Sequence, residues 1–272
     1  MSKTILITGA TDGIGFETAK LLAAAGHNLL IHGRRADKLA RTHAELRDLD
    51  GAGKVETFRA DLSKLDEVAA LARALRAAHP RLDVLINNAG VYKVSGPTTV
   101  DGLDLRFVVN TLASYLLTQS LLELMSAESR VVNLSSAAQA SVDLAALAGE
   151  KDLGDGEAYA QSKLALTMWS FQLAQTLGPE APVIVAVNPA SLLASKMVKE
   201  AYGVAGHDLS IGAHVLVRAA LDEEFAQAHG RYYDNDHQRF ADPHPDALNP
   251  EKNRALVATV EKLIDQRLKA PH

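Results

Sequence analysis

Short and almost wholly apolar runs recur along the first two-thirds of the chain. Each is followed by a segment whose apolar residues return every three or four positions. The runs are Thr4–Thr8, Leu29–Ile31, Val84–Ile86, Arg130–Leu134 and Val183–Val187, with Val55–Phe58, broken by Glu56 and Thr57, as a further strand leading to Asp61. Their shortness and lack of alternation predict strands buried on both faces. The spacing between them predicts helices over Gly13–Ala25, Ala36–Leu49, Lys64–Ala78, Leu112–Met125 and Tyr159–Leu177. In the first of these, Ile14, Ala19, Leu21, Leu22 and Ala25 are among the apolar positions. Strands alternating with helices predict an α/β fold, an open doubly wound parallel sheet covered on both faces. Right-handed crossovers then place ligands outside the carboxyl ends of the strands. No linker, repeat or low-complexity stretch interrupts the pattern, so residues 1–272 read as a single domain.

After Pro189 the pattern loosens. Residues 191–208 mix apolar and small side chains and suit a mobile cover over a site, with Leu192, Leu193, Met197, Val198, Tyr202 and Val204 as its apolar part. Ser210–Leu221 reads as a helix, Arg231–Tyr233 as a last strand, and Asp242–Pro250 as loop because of Pro243, Pro245 and Pro250. Glu251–Leu268 returns to helical spacing.

Composition mostly removes options. A formal net charge of −5 gives no support for binding nucleic acid or an anionic membrane. The absence of cysteine excludes disulfides, thiolate metal sites and a cysteine nucleophile. No stretch reaches the length of a membrane span and the first apolar run is too short for a signal-peptide core, so a cytoplasmic protein is expected. The 10 histidines show no metal-ligand spacing, and no metal is expected; His237 and His244 read as surface residues.

Three constellations carry chemistry. Thr8-Gly9-Ala10-Thr11-Asp12-Gly13-Ile14-Gly15 lies between the first strand and first helix, where glycines let a pyrophosphate approach the backbone at a helix N-terminus. Its first interval holds three residues instead of the single residue of the usual dinucleotide pattern. The second, His32-Gly33-Arg34-Arg35, stands where an NAD-preferring fold keeps a carboxylate for the ribose hydroxyls. Two arginines there suit a 2′-phosphate, hence NADP(H); the alternative is a pair of solvated arginines opening a helix. The third is Tyr159-Ala160-Gln161-Ser162-Lys163, whose spacing puts Tyr159 and Lys163 on one helix face. A neighbouring ammonium favours the phenolate, which makes a tyrosine usable as a general acid/base near neutrality.

With these residues, the chain resembles the short-chain dehydrogenase/reductase family over nearly its whole length. The glycine pattern, Asp61-Leu62, Asn87-Asn88-Ala89-Gly90, Asn110, Ser135-Ser136 and the Tyr159/Lys163 pair stand in the family's order. Asp101-Gly102-Leu103 through Val109-Asn110, Leu116-Leu117-Thr118 and the long insert before Tyr159 resemble its retinol-dehydrogenase-like branch. The resemblance implies a Rossmann-type NADP(H)-dependent oxidoreductase acting on a carbonyl/alcohol substrate. Gly9, Thr11, Asp12, Gly13, Ile14 and Gly15 would line the pyrophosphate. Arg34 and Arg35 would meet the 2′-phosphate, and Asp61 and Leu62 the adenine edge. Asn88, Ala89 and Gly90 would pack beneath the ribose, with Pro189 and Ser191 at the nicotinamide. Tyr159 would be the proton donor in reduction, and Lys163 would bind the ribose and lower the Tyr159 pKa. Ser136 would polarise the substrate oxygen, and Asn110 would hold a water linking Lys163 to solvent. The helices Leu112–Met125 and Tyr159–Leu177 correspond to those that pair between subunits in many members, which implies a homodimer or homotetramer.

Two departures stand out. The family commonly has Pro-Gly after the sixth strand, where this chain has Pro189-Ala190, and the carboxamide contact is open among Ser191, Leu192 and Ser195. The 22 residues between Ser136 and Tyr159 form a longer insert than is common, either a flap beside the substrate or a surface loop. Trp169, with Leu166 and Leu173 at helical spacing, reads as core or subunit-interface packing. Two other functions compete: an NADP(H)-sensing regulator without catalysis, and a sugar-nucleotide lyase or epimerase. The full Asn110, Ser136, Tyr159 and Lys163 set argues against the first. The tail of only about eighty residues after Pro189 argues against the second. The apolar cover points to a hydrophobic ketone or secondary alcohol.

Overall fold

The computed structural model describes residues 1–99, 101–191, 193 and 206–269. Its strands are β1 (Thr4–Ile7), β2 (Asn28–Gly33), β3 (Val55–Arg59), β4 (Val84–Asn87), β5 (Arg130–Leu134), β6 (Val183–Asn188), β7 (Arg231–Asp234) and β8 (Arg239–Ala241). They form one sheet in the order β3-β2-β1-β4-β5-β6-β7-β8, parallel except for the β7–β8 pair. The chain reverses direction across the sheet between β1 and β4, which opens a crevice at their carboxyl ends.

The helices are α1 (Gly13–Ala24), α2 (Ala36–Arg47), α3 (Leu65–Ala78), α4 (Leu105–Phe107), α5 (Ala113–Leu121), α6 (Leu144–Leu147), α7 (Asp155–Leu177), α8 (Leu209–Leu221) and α9 (Pro250–Lys269). Because successive strand residues point to opposite faces, each apolar run feeds two cores at once. Leu6, Leu30, Leu85, Val131 and Ile184 face the layer of α3, α5, α7 and α9. Their neighbours Ile5, Ile7, Leu29, Ile31, Ile86, Val132 and Val185 face the side that holds α1, α2 and α8. This double burial is why the strands read as continuous rather than alternating.

Three segments differ from expectation. The helix expected at Leu112 begins earlier, at Leu105, because Asp104 caps it by accepting from Arg106 N–H at 2.8 Å. A π-helical segment over Val108–Leu112 then joins α4 to α5. The 137–158 insert is docked: Asp143 caps α6, and Ala146 and Leu147 enter the core. Beyond the expected last strand lies β8, and a 3₁₀ turn over Pro245–Leu248 interrupts the expected loop.

The C-terminal helix α9 packs against α7 and α3. Leu256, Val260, Leu263 and Ile264 share a core with Tyr115, Leu116, Trp169 and Leu173, and the Tyr115 hydroxyl donates to Glu261 Oε1 at 2.6 Å. Tyr115 and Leu116 of α5 and Trp169 and Leu173 of α7 are therefore covered within the chain, while Leu177 at the end of α7 is exposed. Trp169 is fully buried core. Of the expected cover over 191–208, Leu192, Ser195, Met197, Val198, Tyr202 and Val204 lie outside the described residues. Leu193 is buried and bridges to His207.

Candidate active site

A cavity of about 810 Å³ runs along the carboxyl ends of the central strands. Its lining includes Gly9, Asp12, Gly13, Ile14, Arg34, Asp61, Leu62, Asn88, Ala89 and Gly90. Ser136, Tyr159, Lys163, Pro189 and Ser191 line the same space. Residues from seven separate stretches of sequence thus meet in one place. Among the expected residues, Thr11, Gly15, Arg35 and Asn110 stand behind or beside the lining.

The end near β1 and β2 is made of backbone held by buried side chains. Thr8 Oγ1 accepts from the N–H groups of Asn88 and Ala89, both at 3.0 Å. Asn88 Nδ2 donates back to the carbonyls of Thr8 at 2.9 Å and Gly9 at 3.1 Å. These bonds tie the end of β4 to the glycine loop, so Asn88 holds the loop as well as lining the cavity. Gly15 is required by close approach: a Cβ there would lie 2.3 Å from Asn88 Nδ2 and 2.4 Å from Gly9 O. Gly13 has φ +55 and open space where a Cβ would stand. Asp12 caps α1 through Gly13 N–H and is paired with Lys38 at 2.7 Å.

His32 was not among the expected site residues, yet it lines the cavity and is only 2 % exposed. Its Nδ1 accepts from Gly9 N–H at 3.2 Å, and its Nε2 donates to Ala60 O at 3.0 Å. Those partners assign the neutral tautomer. Burial lowers its pKa, against smaller raising contributions from the Ala60 carbonyl and Asp61. A lone polar residue ending the apolar run Leu29-Leu30-Ile31 was the available signal.

The two arginines separate. Arg34 lines the cavity, and its carbonyl accepts from Arg59 Nε at 3.3 Å. Arg35 precedes α2 and is engaged by Asp37 through Nε at 3.0 Å and Nη2 at 2.5 Å. Asp61 Oδ1 accepts from Ser63 N–H and hydroxyl at 3.0 and 2.8 Å, which fixes the carboxylate beside Leu62.

The other end is made of side chains. Tyr159 and Lys163 project from one face of α7, with Lys163 Nζ 5.8 Å from the centre of the Tyr159 ring. Lys163 is 3 % exposed and spends one of its three N–H donors on Leu134 O at 2.7 Å. Desolvation lowers its pKa from 10.5 to about 8. Arg106, itself buried, is bound by Asp104 and by Asp155, the first residue of α7, so the start of the tyrosine-bearing helix is anchored.

Asn110 lies within the π-helical segment and is fully buried. Its Nδ2 donates to Val91 O at 3.0 Å and Ser162 Oγ at 2.9 Å, while its Oδ1 accepts from Val91 N–H at 2.8 Å. The side chain therefore joins the strand-4 loop to α7. Asn110 Oδ1 and Lys163 Nζ flank Gly90, at 3.3 and 3.4 Å from where a Cβ would stand.

Ser136 is half-buried and its Oγ accepts from Ala138 N–H at 3.1 Å. Behind it, Ser135 Oγ pairs with Thr167 Oγ1 at 2.7 Å. A buried polar ladder from Thr118 through Asn87 and Asn133 to Ser170 locks β4 and β5 to α5 and α7. Two further residues were not foreseen. Tyr92 lines the cavity with its ring 4.8 Å from that of Tyr159, and Tyr232 donates to Ser136 O at 3.2 Å. Tyr92 lies on a segment without a periodic pattern, and Tyr232 on the expected last strand, whose place beside the site the sequence did not give. Val91, Val94, Leu105, Val109, Ala137 and Ala138 add an apolar lining.

The short chain dehydrogenase model matches residues 3–203. Retinol dehydrogenase 13 of Homo sapiens is 31% identical over 295 residues, spanning 99% of this chain and 86% of the relative. Retinol dehydrogenase 11 of Homo sapiens is 37% identical over 194 residues, spanning 70% of this chain and 61% of that protein. An uncharacterised protein of Mycobacterium paratuberculosis superposes with a TM-score of 0.79 at 27% identity, over 97% of this chain and 93% of its own. The Pseudomonas aeruginosa RhlG/NADP active-site complex has a TM-score of 0.69 at 26% identity, over 85% and 94%. The chain belongs to the short-chain dehydrogenase family, a family of oxidoreductases, on its retinol-dehydrogenase-like branch.

Among the described residues no group of three or more potential metal ligands occurs, and no helix is long and apolar enough to cross a membrane.

Proposed function

We propose that this chain is an NADP(H)-dependent oxidoreductase acting on a hydrophobic ketone or secondary alcohol, with Tyr159 as general acid/base. The observation that carries this reading is the sharing of one cavity by a glycine loop and by Ser136, Tyr159 and Lys163. A nucleotide-sensing regulator would need only the first of these two ends.

The residues present fit a dinucleotide phosphate. Gly13 leaves open space at the N-terminus of α1, where a helix dipole and free N–H groups favour an anion. Arg34 supplies a cation at the cavity wall, and no acid follows β2 directly. The NADP named in the RhlG complex belongs to a relative of the same fold and supports the same choice.

The nicotinamide, when bound, supplies or accepts the hydride. Tyr159 donates its phenolic proton to the carbonyl oxygen during reduction and takes it back during oxidation. The Ser136 hydroxyl donates a hydrogen bond to the same oxygen, where negative charge develops. The Lys163 ammonium stabilises the Tyr159 phenolate and offers its remaining N–H donors to the ribose. A water held beside Asn110 and Lys163 would return the proton to Tyr159 from solvent. The apolar lining from Val91, Val94, Leu105 and Val109 excludes water and sets the preference for a hydrophobic substrate.

The test is NADPH consumption over a panel of hydrophobic ketones and aldehydes, repeated with NADH. Turnover of carbonyls with NADPH preferred is the expected result. Tight NADPH binding without turnover of any carbonyl would favour a sensor instead.

A further inference from the structure

The chain departs from its family's usual Pro-Gly after β6, and the structure shows what that departure entails. Asn188 ends β6, and Pro189, Ala190 and Ser191 continue along the cavity wall. Ala190 has φ +119, a conformation that L side chains rarely adopt and that glycine accepts freely. A residue held there must be over-determined by its surroundings.

The surroundings are the turn between β7 and β8. Asp236 Oδ1 accepts from Ser191 N–H at 2.7 Å, and Oδ2 accepts from the Ser191 hydroxyl at 2.6 Å and Asn188 Nδ2 at 2.9 Å. Asn188 Nδ2 also donates to Asp234 Oδ1 at 2.9 Å, and Asn235 Nδ2 to Pro189 O at 2.9 Å. The two residues flanking Ala190 on either side are thus gripped by one turn, with Asp236 taking three of the donors. Burial works to raise the Asp236 carboxyl, but the hydrogen bonds from Ser191 and Asn188 outweigh it and hold the pKa below its ordinary value. The same hairpin reaches the loop after β5 through Tyr232 and the Ser136 carbonyl.

We propose that Asp236 is a positioning residue for the nicotinamide end of the cavity, holding Asn188–Ser191 in the strained course that Ala190 requires. The inference rests on the NADP(H) reading above. The loop it holds follows β6, on the far side of the strand reversal from Arg34 and Asp61, so the adenosine half of the cofactor is out of its reach.

That division gives the test. Dissociation constants are measured for NADPH and for 2′-phospho-ADP-ribose, which lacks the nicotinamide, on wild type, Asp236→Ala, Ala190→Gly and the double variant. Asp236→Ala is expected to weaken NADPH about tenfold, the scale of losing charge-assisted hydrogen bonds, with 2′-phospho-ADP-ribose unchanged. Ala190→Gly should restore most of the NADPH affinity in the double variant, because glycine follows the same course without being held. Should Asp236→Ala fail to fold, Asp236→Asn keeps the volume while turning a donor toward donors, and carries the same comparison. Equal losses for both ligands, no loss for either, or no recovery with Ala190→Gly would overturn the proposal. Failure of the wild type to bind either ligand would instead overturn the NADP(H) reading.

Discussion

The two ends of the cavity are built by different means. At the β1–β2 end the groups facing the cavity are largely backbone, held by the buried side chains of Thr8 and His32 and by the half-buried Asn88. At the β5–β6 end the reactive groups are side chains, and what holds them comes from distant parts of the chain: Arg106 on Asp155, Tyr232 on Ser136, Asp236 on Ser191. A bound group that every member of a fold shares can be met by backbone, whereas a reaction requires particular atoms. Damage at the first end should therefore appear in binding, and loss of the proposed reactive side chains at the second in turnover; Asp236, which holds backbone rather than a reactive group, should appear in binding.

The sharpest break in that comparison is Tyr159→Phe. General acid–base catalysis contributes roughly 10²–10⁴-fold, so kcat should fall by about that factor while the NADPH dissociation constant stays near wild type. Stopped-flow turnover and cofactor fluorescence separate the two, and a Tyr159→Phe protein with near-normal kcat would remove the phenol from the mechanism.

A smaller effect divides the arginines. Arg34→Ala should lower kcat/KM with NADPH by roughly 10- to 100-fold, as expected for losing a hydrogen bond to a charged group, and leave NADH almost unchanged. Arg35→Ala should change either value by less than about threefold, since Asp37 already occupies its guanidinium and exposed pairs contribute little. Equal losses for the two variants would put both side chains on the phosphate.

The smallest effect is a pH dependence at His32. Its pKa is lowered in the folded chain by burial, so below its ordinary 6.5 the unfolded chain binds a proton that the folded chain resists. The stability from the neutral ring is complete above about pH 6.5 and is lost as pH falls from there toward the lowered value. Thermal unfolding of the wild type should decline more steeply from pH 7 to 5.5 than that of His32→Gln. Parallel declines would mean that the bonds to Gly9 and Ala60 do not govern the loop.

How much of this was legible in the sequence follows the same division. The strands and the glycine loop announce themselves locally, because double burial forces unbroken apolar runs and a tight strand-to-helix turn demands glycine. The weight of the Tyr159/Lys163 pair came from its place in the family's order of motifs, but that the two share one helix face was readable from their spacing. Asp236 and Tyr232 were not, since each acts across a β7–β8 hairpin whose place beside β6 only tertiary packing decides. Arg35 has a local partner that charge-counting does not weigh: two residues on, Asp37 forms a fork with it. The docked insert was open in the sequence because its apolar run, Leu144–Ala148, is too short to show a period. The C-terminal helix was legible as a helix, but not as the cover for α5 and α7.

The burial of Lys163 has a consequence for anyone who would engineer this protein. Moving that ammonium from 10.5 to about 8 corresponds to roughly 3 kcal/mol set against the folded charged form, a sizeable part of the 5–15 kcal/mol that typically holds a domain together. A search for heat resistance that scores stability alone would be drawn to an apolar replacement there. If Lys163 acts as proposed, it would obtain a sturdier chain with an idle cavity. Under the proposed mechanism durability and turnover compete at this one position, and Lys163 is the residue to freeze before any such library is made.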